Sequence, residues 1–231
     1  MPLSLAGLAS FPYPYAMQST ISLVVFDLGG VMIRLAGGWQ GACSEAGVPE
    51  RAAVRPWPEV HKDWLALDAE LGAGRMSDDA FFSAFQQAHG GIYTIPELQA
   101  AFQAIIQEEF PGIYETVAAL KAAGFRTACL SNTSALHWVD LDNPAKYPAI
   151  GLLDVRHASH LLGCMKPDAA IYRKFEVEMG AHPEEILFFD DYLVNVEGAR
   201  ARGWASERIV EEIPVVEQIR KYLDAYGIQS S

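Results

Sequence analysis

The chain has 231 residues, 51% hydrophobic and 20% charged, with a formal net charge of -12. That size suits one large domain, or one domain with a smaller one inserted. The acidic balance argues against nonspecific nucleic-acid or acidic-membrane binding, so an anionic substrate must be held by local positive charge or a metal.

Residues 1–20 read as an N-terminal extension, with Met17 as an alternative start. The first charged residue is Asp27, so the leader lacks the basic region of a secretory signal. Its apolar stretch from Leu3 to Ala9 is too short to span a membrane, and Pro12 and Pro14 break any helix there. No later segment reads as transmembrane. Cys43, Cys129 and Cys164 show no paired spacing, which points to a reducing, cytoplasmic setting. Cys129 lies in a predicted core strand and reads as a small buried hydrophobe.

The first strand is Ile21-Ser22-Leu23-Val24-Val25-Phe26, and it runs into Asp27 and then Leu28-Gly29-Gly30-Val31. A carboxylate at the mouth of a buried strand must be paired, hydrogen-bonded or metal-bound. The glycines let the backbone approach a ligand and turn its N–H groups toward it. A helical stretch follows, punctuated by Pro56, Pro58 and Gly72-Ala73-Gly74. Ser77 is expected to cap a helix with Asp78 and Asp79 in its first turn and Phe81, Phe85 and Ala88 on one face. Pro96 opens another, with Leu98, Phe102, Ile105 and Ile106 on its apolar side.

From Pro111 the rhythm becomes helix, strand, helix, strand. Val117 and Leu120 mark a helix closed by Gly124, and Thr127 to Leu130 a strand followed by Ser131-Asn132. Asp154 to Ala158 is a weaker strand. Ile171, Phe175 and Met179 line a helix that stops at Gly180. Ile186 to Phe189 is a strand ending in Asp190-Asp191, Asn195 to Arg202 a helix closed by Gly203, and Arg208 to Val210 the last strand. Val216, Ile219, Leu223 and Tyr226 give a closing amphipathic helix. Alternating strands and helices imply an α/β fold with a parallel sheet, whose ligands bind beyond the carboxyl ends of the strands. Asp27, Ser131 and Asp190-Asp191 would then share one sheet edge, with the helical stretch between Asp27 and Ser131 placed over it as a lid.

Taken singly, a Lys-Pro pair is usually a helix start, a Ser-Asn pair a turn, and an Asp-Asp pair a solvated turn. Their order and shared placement change that. Adjacent acids facing Asp27 repel unless a cation lies between them, and hard oxygen ligands suit Mg2+. Lys166, before Pro167 at a helix start, adds fixed positive charge beside an anion-favouring N-terminus. A carboxylate nucleophile, a divalent cation, a lysine and the Ser131 hydroxyl together make a site for a phosphoryl group.

Phe26-Asp27-Leu28-Gly29-Gly30-Val31, Leu130-Ser131-Asn132-Thr133, Gly163-Cys164-Met165-Lys166-Pro167-Asp168 with Ile171-Tyr172, and Phe188-Phe189-Asp190-Asp191 with Asn195-Val196 and Gly203-Trp204 resemble the four motifs of the haloacid dehalogenase superfamily. The resemblance runs from about Ile21 to the final helix. It is nearest to the branch of glucose-1-phosphate phosphatases and the phosphatase domain of soluble epoxide hydrolases. It implies a Rossmann-like parallel-sheet core at 21–35 and 111–231, with a small α-helical cap inserted at 36–110. Asp27 would attack phosphorus and form an aspartyl-phosphate. Ser131, Asn132 and Gly30 would bind the phosphate, and Lys166 would steady its charge. Asp191 would ligate Mg2+ with Asp27 and the carbonyl of Gly29. Asp190 would be a second ligand or would hold Lys166; the sequence leaves the roles of the two acids open.

Most phosphatases of this superfamily carry a second Asp, as general acid and base, where this chain has Gly29. Losing a positioned proton donor typically costs about 10²–10⁴-fold. The resembled branch also tends to have glycine there. A leaving group that needs little protonation, such as the anomeric oxygen of a sugar 1-phosphate, would be favoured, or a cap residue such as His61, Asp63 or Asp68 supplies the proton. Arg34 is either a substrate contact or a surface charge; His137 and Trp138 follow the second motif, and Trp39 and Trp64 either stack on a sugar or pack.

The expected protein is therefore an enzyme, a Mg2+-dependent phosphatase of a small phosphorylated metabolite such as a sugar phosphate, with no nucleic-acid or membrane partner. Two rivals are a 2-haloacid dehalogenase using the same nucleophile without a metal, and a non-catalytic binding protein that has lost its acid/base at Gly29.

Overall fold

The computed structural model describes residues 20–51, 55 and 57–229. Met17 and nearly all of the predicted extension lie outside the described residues, as does Pro56. Strand β1 (Leu23–Phe26) is buried along its whole length, as the middle of a parallel sheet should be. Its side chains alternate between two cores. Val24 and Phe26 pack with Val117, Leu120, Ile219 and Leu223 on one face. Leu23 and Val25 pack with Ile171, Phe175 and Trp204 on the other.

Strands β4 (Arg126–Ser131) and β6 (Ile186–Asp190) flank β1, with β5 (Val155–Ala158) and β7 (Ala205–Arg208) outside them. All four pairings in the order β5-β4-β1-β6-β7 are parallel. Helices α5 (Ile113–Ala122) and α11 (Val215–Ala225) cover one face; α9 (Ala169–Met179) and α10 (Leu193–Ala201) cover the other. The chain leaves β1 toward β4 and β5, then returns to the opposite side for β6 and β7. Sheets of this kind bind ligands at that reversal.

The inserted helical cap rises on a stem. Strands β2 (Ile33–Leu35) and β3 (Ile106–Glu109) pair antiparallel. Between them lie α1 (Gly38–Glu45), α2 (Trp57–Gly72), α3 (Asp78–Ala88) and α4 (Ile95–Gln103). These helices share a third core that includes Cys43, Leu71, Phe81, Phe85, Leu98 and Phe102. Ser77 caps α3 as expected, accepting the Ala80 N–H at 3.3 Å. Thr94 caps α4 in a capping box with Glu97, and Pro96 sits in its first turn.

Several elements differ from the sequence-based expectation. Helix α4 ends at Gln103, so Ile105 and Ile106 do not continue its apolar face. Ile106 instead starts β3, because Leu35 pairs with it across the stem. The last strand lies at Ala205–Arg208 rather than 208–210, since its register is set by pairing with Leu187–Asp190. Only Ser206 of its four residues is buried, so hydrophobicity misplaced it. Pro167 does not open a helix: α9 begins at Ala169, and Asp168 caps it by accepting the Ala170 N–H at 2.9 Å. Pro58 lies in the first turn of α2 rather than breaking it. The Gly72-Ala73-Gly74 stretch does end α2. Gly74 has φ +67°, and a Cβ there would fall 2.6 Å from the His160 carbonyl oxygen, so the turn seats the cap directly on the core.

Candidate active site

Asp27 follows β1, Ser131 closes β4 and Asp190 closes β6, so the parallel sheet brings all three to one edge. Lys166 joins them from the loop between α8 (Ser159–Leu162) and α9. Its Nζ lies 2.7 Å from Asp190 Oδ2 and 3.0 Å from Asp27 Oδ1. The ammonium is wholly buried, as is Asp190. An ion pair at that depth survives only when its remaining lone pairs are satisfied. Asp190 meets this condition, accepting the Tyr192 N–H at 2.8 Å and Asn195 Nδ2 at 3.0 Å. Asp27 Oδ1 accepts the Leu28 N–H at 2.7 Å. Burial alone would pull the Lys166 pKa down, but Asp190 and Asp27 outweigh it and the net shift is upward.

One ammonium faces three acids. Burial, reinforced by Asp190 and opposed by Lys166, pushes Asp27 up to about 6. Burial and then the charges of Asp27 and Asp190 push Asp191 up to about 7. Asp191 Oδ1 is buried with no hydrogen-bond partner among the described residues. The three acids each offer an oxygen within 4.8 Å of the others. Surplus buried negative charge and an orphaned carboxylate oxygen fit a hard divalent cation. The two adjacent acids also part company. The oxygens of Asp190 are occupied by Lys166, Tyr192 and Asn195, whereas an oxygen of Asp191 is unclaimed.

The remaining predicted site residues divide similarly. Ser131 is buried and lines the cavity, and its hydroxyl has no partner among the described residues. The Asn132 amide is spent on a reciprocal clasp: Nδ2 donates to the Lys166 carbonyl at 2.9 Å and Oδ1 accepts the Lys166 N–H at 2.8 Å. It therefore fixes the backbone of Lys166, leaving only main-chain groups for a ligand. The Gly30 N–H is likewise taken, by the Ile33 carbonyl at 2.8 Å. What Gly30 supplies is space, because a Cβ there would fall 2.6 Å from Asp191 Oδ2 at φ +72°. Gly29 lines the cavity without that constraint.

The cavity above these groups has a volume of about 340 Å³. Its floor is Asp27, Ser131, Lys166 and Asp191; its roof is Trp64, Leu65, Asp68 and Phe102 from the cap, with Leu35 and Ile106 from the stem. His61 is exposed and stacks on Trp64. Asp63 pairs with Arg55 at 2.7 Å. Neither lines the cavity. Arg34 pairs with Glu108 at 3.1 Å on the surface, so its structural reading prevails. His137 does reach the cavity, but its Nε2 bonds the Phe102 carbonyl at 2.8 Å and its ring stacks on Phe102. Trp138 packs against the core, and Trp39 lies among the cap aromatics.

Sequence reasoning missed Ser159 and gave Asn195 no task. Ser159 Oγ accepts the Thr133 N–H at 2.9 Å and donates to the Gly72 carbonyl at 2.5 Å. It thereby ties the loop after β4 to the end of α2. A serine opening a short helix carries no sequence signal for such a role.

A family model of haloacid dehalogenase-like hydrolases matches residues 21–203. A Mycobacterium tuberculosis protein called Phosphatase MT3486 is 26% identical over 80% of this chain and 85% of its own length. Among solved structures, a haloacid dehalogenase family enzyme from Bacteroides thetaiotaomicron, in complex with magnesium and inorganic phosphate, superposes with a TM-score of 0.67 at 18% identity, covering 87% of this chain and all of that one. The L-2-haloacid dehalogenase of Xanthobacter autotrophicus, with chloropropionic acid covalently bound, gives a TM-score of 0.59 at 20% identity over 88% of this chain and 83% of that one.

Proposed function

The chain belongs to the haloacid dehalogenase-like hydrolases, and on that footing we propose that it is a Mg2+-dependent phosphatase of a small phosphorylated metabolite. The observation that carries the reading is the charge balance of the floor: three acids, one of them with an orphaned buried oxygen, against one lysine. The similarity to a protein called a phosphatase, and to an enzyme crystallised with magnesium and phosphate, supports it.

Asp27 attacks phosphorus through the carboxylate oxygen not held by Leu28 and forms an aspartyl-phosphate. The Ser131 hydroxyl and the main chain at Asn132 receive the phosphate oxygens. Lys166, locked by Asp190 and Asn132, keeps the nucleophile oriented and offsets charge as it moves to phosphorus. Asp27, Asp191 and the Gly29 carbonyl would hold Mg2+, which when bound would offset the charge of the acids and the phosphate together. Asp190 serves as the anchor of Lys166 and Asn195 instead of a direct ligand.

A cavity of about 340 Å³ takes a metabolite-sized leaving group. A sugar phosphate is the class that the sequence resemblance favours. The three free, buried cysteines suit a cytoplasmic setting, and no helix among the described residues is long and apolar enough to cross a membrane. The dehalogenase reading shares the nucleophile, but a surplus of buried carboxylates would repel a haloacid substrate rather than hold it. Phosphate release from a panel of phosphorylated metabolites, with Mg2+ and with chelator, tests the proposal. Wild type is expected to be active only with the metal, and Asp27→Asn to fall by about 10⁴-fold or more. Equal phosphate release by both proteins sinks the reading; chloride release from a haloacid under chelation would replace it.

A further inference from the structure

We propose that Asp68, on the cap helix α2, is the acid that protonates the leaving oxygen, the task for which Gly29 offers no side chain. The proposal rests on the phosphatase reading and adds a catalytic residue to it.

The placement is specific. Asp68 lines the same cavity as Asp27, Ser131 and Lys166, but from the roof, the side on which a substrate's leaving group must lie once its phosphoryl group meets the floor. It makes no hydrogen bond or ion pair with any described residue. Its neighbours on the same helix are occupied elsewhere: Asp63 with Arg55, Glu70 with Arg75. Asp68 is thus the carboxyl of the roof that is both within the cavity and free to act.

The surroundings raise its affinity for a proton. Trp64, Leu65 and Phe102 make the adjoining roof apolar, and burial raises the Asp68 carboxyl to about 6. The titratable groups that face it across the cavity are Asp27, Lys166 and Asp191 on the floor, Tyr192 beside α10, and His137 on α6 (Ala135–Leu141). Burial holds His137 neutral. Tyr192 is raised, first by burial and then by the acids around it, and stays a phenol. A carboxyl whose pKa lies close to the working pH can both give and take a proton, which is what general acid–base catalysis needs.

The steps balance. As Asp27 bonds to phosphorus, the bond from phosphorus to the ester oxygen breaks, and that oxygen takes the Asp68 proton to leave as an alcohol. The Asp68 carboxylate then accepts a proton from the water that attacks the aspartyl-phosphate. Asp27 is released as a carboxylate, inorganic phosphate departs, and Asp68 is again an acid.

The test compares Asp68→Asn with wild type on two Mg2+-supported substrates. One is the alkyl or sugar monoester that wild type hydrolyses best, the other 4-nitrophenyl phosphate, whose leaving group needs no proton. The variant is expected to lose about 10²–10⁴-fold in kcat on the first and at most about tenfold on the second, and to lose the alkaline limb of the wild-type pH profile on the first. An equal loss on both esters, or a change confined to KM, overturns the proposal in favour of a binding or packing role. No loss on either overturns it outright. Wild type inert on every ester would instead remove the phosphatase reading beneath it, an outcome distinct from an active wild type with an indifferent variant.

Discussion

The floor and the roof line one cavity yet hold their polar groups in different ways. On the floor, Lys166 is clasped by Asp190, Asp27 and, through its backbone, Asn132, and Asp190 is further held by Asn195 and Tyr192. On the roof, Asp68 stands beside Trp64, Leu65 and Phe102 with no partner among the described residues. Around Lys166 the floor is a network whose members fix one another, so that part of its geometry is set before any ligand arrives. The roof is an apolar surface with one acid, shaped by how four helices pack. Chemistry common to a family belongs on the first kind of surface, and the choice of leaving group on the second.

The largest expected effect comes from breaking the floor at its centre. Lys166→Met leaves Asp190 wholly buried with its main counter-charge gone, and Asp27 with a raised pKa and no ammonium. Removing one partner of a buried pair costs about 3–5 kcal/mol, and urea denaturation of the metal-free protein should show a loss of that size. A loss under about 1 kcal/mol would mean that the floor does not depend on Lys166 for its charge balance.

A smaller effect is expected at the seam between the two regions. Ser159→Ala removes the acceptor of the Thr133 N–H and the donor to the Gly72 carbonyl, in a place where Ser159 itself is fully buried. Leaving such groups unsatisfied costs about 1–3 kcal/mol. The same denaturation measurement checks it, and a change within about 0.5 kcal/mol would show that water takes over both bonds and that the seam is wet.

The floor was legible in the sequence and the roof was not, for related reasons. Asp27, Ser131 and Asp190 each end an apolar run, and alternation of strand and helix is enough to bring such ends to one edge. Their residue types are dictated by charge chemistry, which few substitutes satisfy. Which of Asp190 and Asp191 has a free oxygen was not legible, because it depends on where Tyr192 N–H and Asn195 point. The roof depends on packing. Ile105 and Ile106 continue the periodicity of α4, but pairing with Leu35 outweighs helical propensity and turns Ile106 into a strand. Nothing in the pattern of α2 distinguishes Asp68 from Asp63; only the fold turns one into the cavity and the other toward Arg55.

The finest probe of the seam is His137, which belongs to the core by chain and to the cap by contact. Its Nε2–H donates to the Phe102 carbonyl of α4, with the ring stacked on Phe102. Burial lowers its pKa, with the bond to Phe102 and the charge of Asp140 opposing in part. The folded state therefore binds a proton less readily than the unfolded chain. Stability from the neutral ring is fully present above the unfolded value near 6.5 and is lost as pH falls toward the lower folded value. His89, His157 and His160 are lowered by burial too, so wild type alone cannot isolate one ring. His137→Gln keeps a donor for the Phe102 carbonyl without a titrating group. The stability of wild type relative to this variant should be constant above neutrality and decline as pH is lowered from 7 to 5, by no more than the roughly 2 kcal/mol that protonation of the unfolded imidazole allows. A difference that stays flat across that range would mean that protonation of His137 leaves its contact with Phe102 intact, and that the cap is fastened to the core elsewhere, at Ser159 and Gly72.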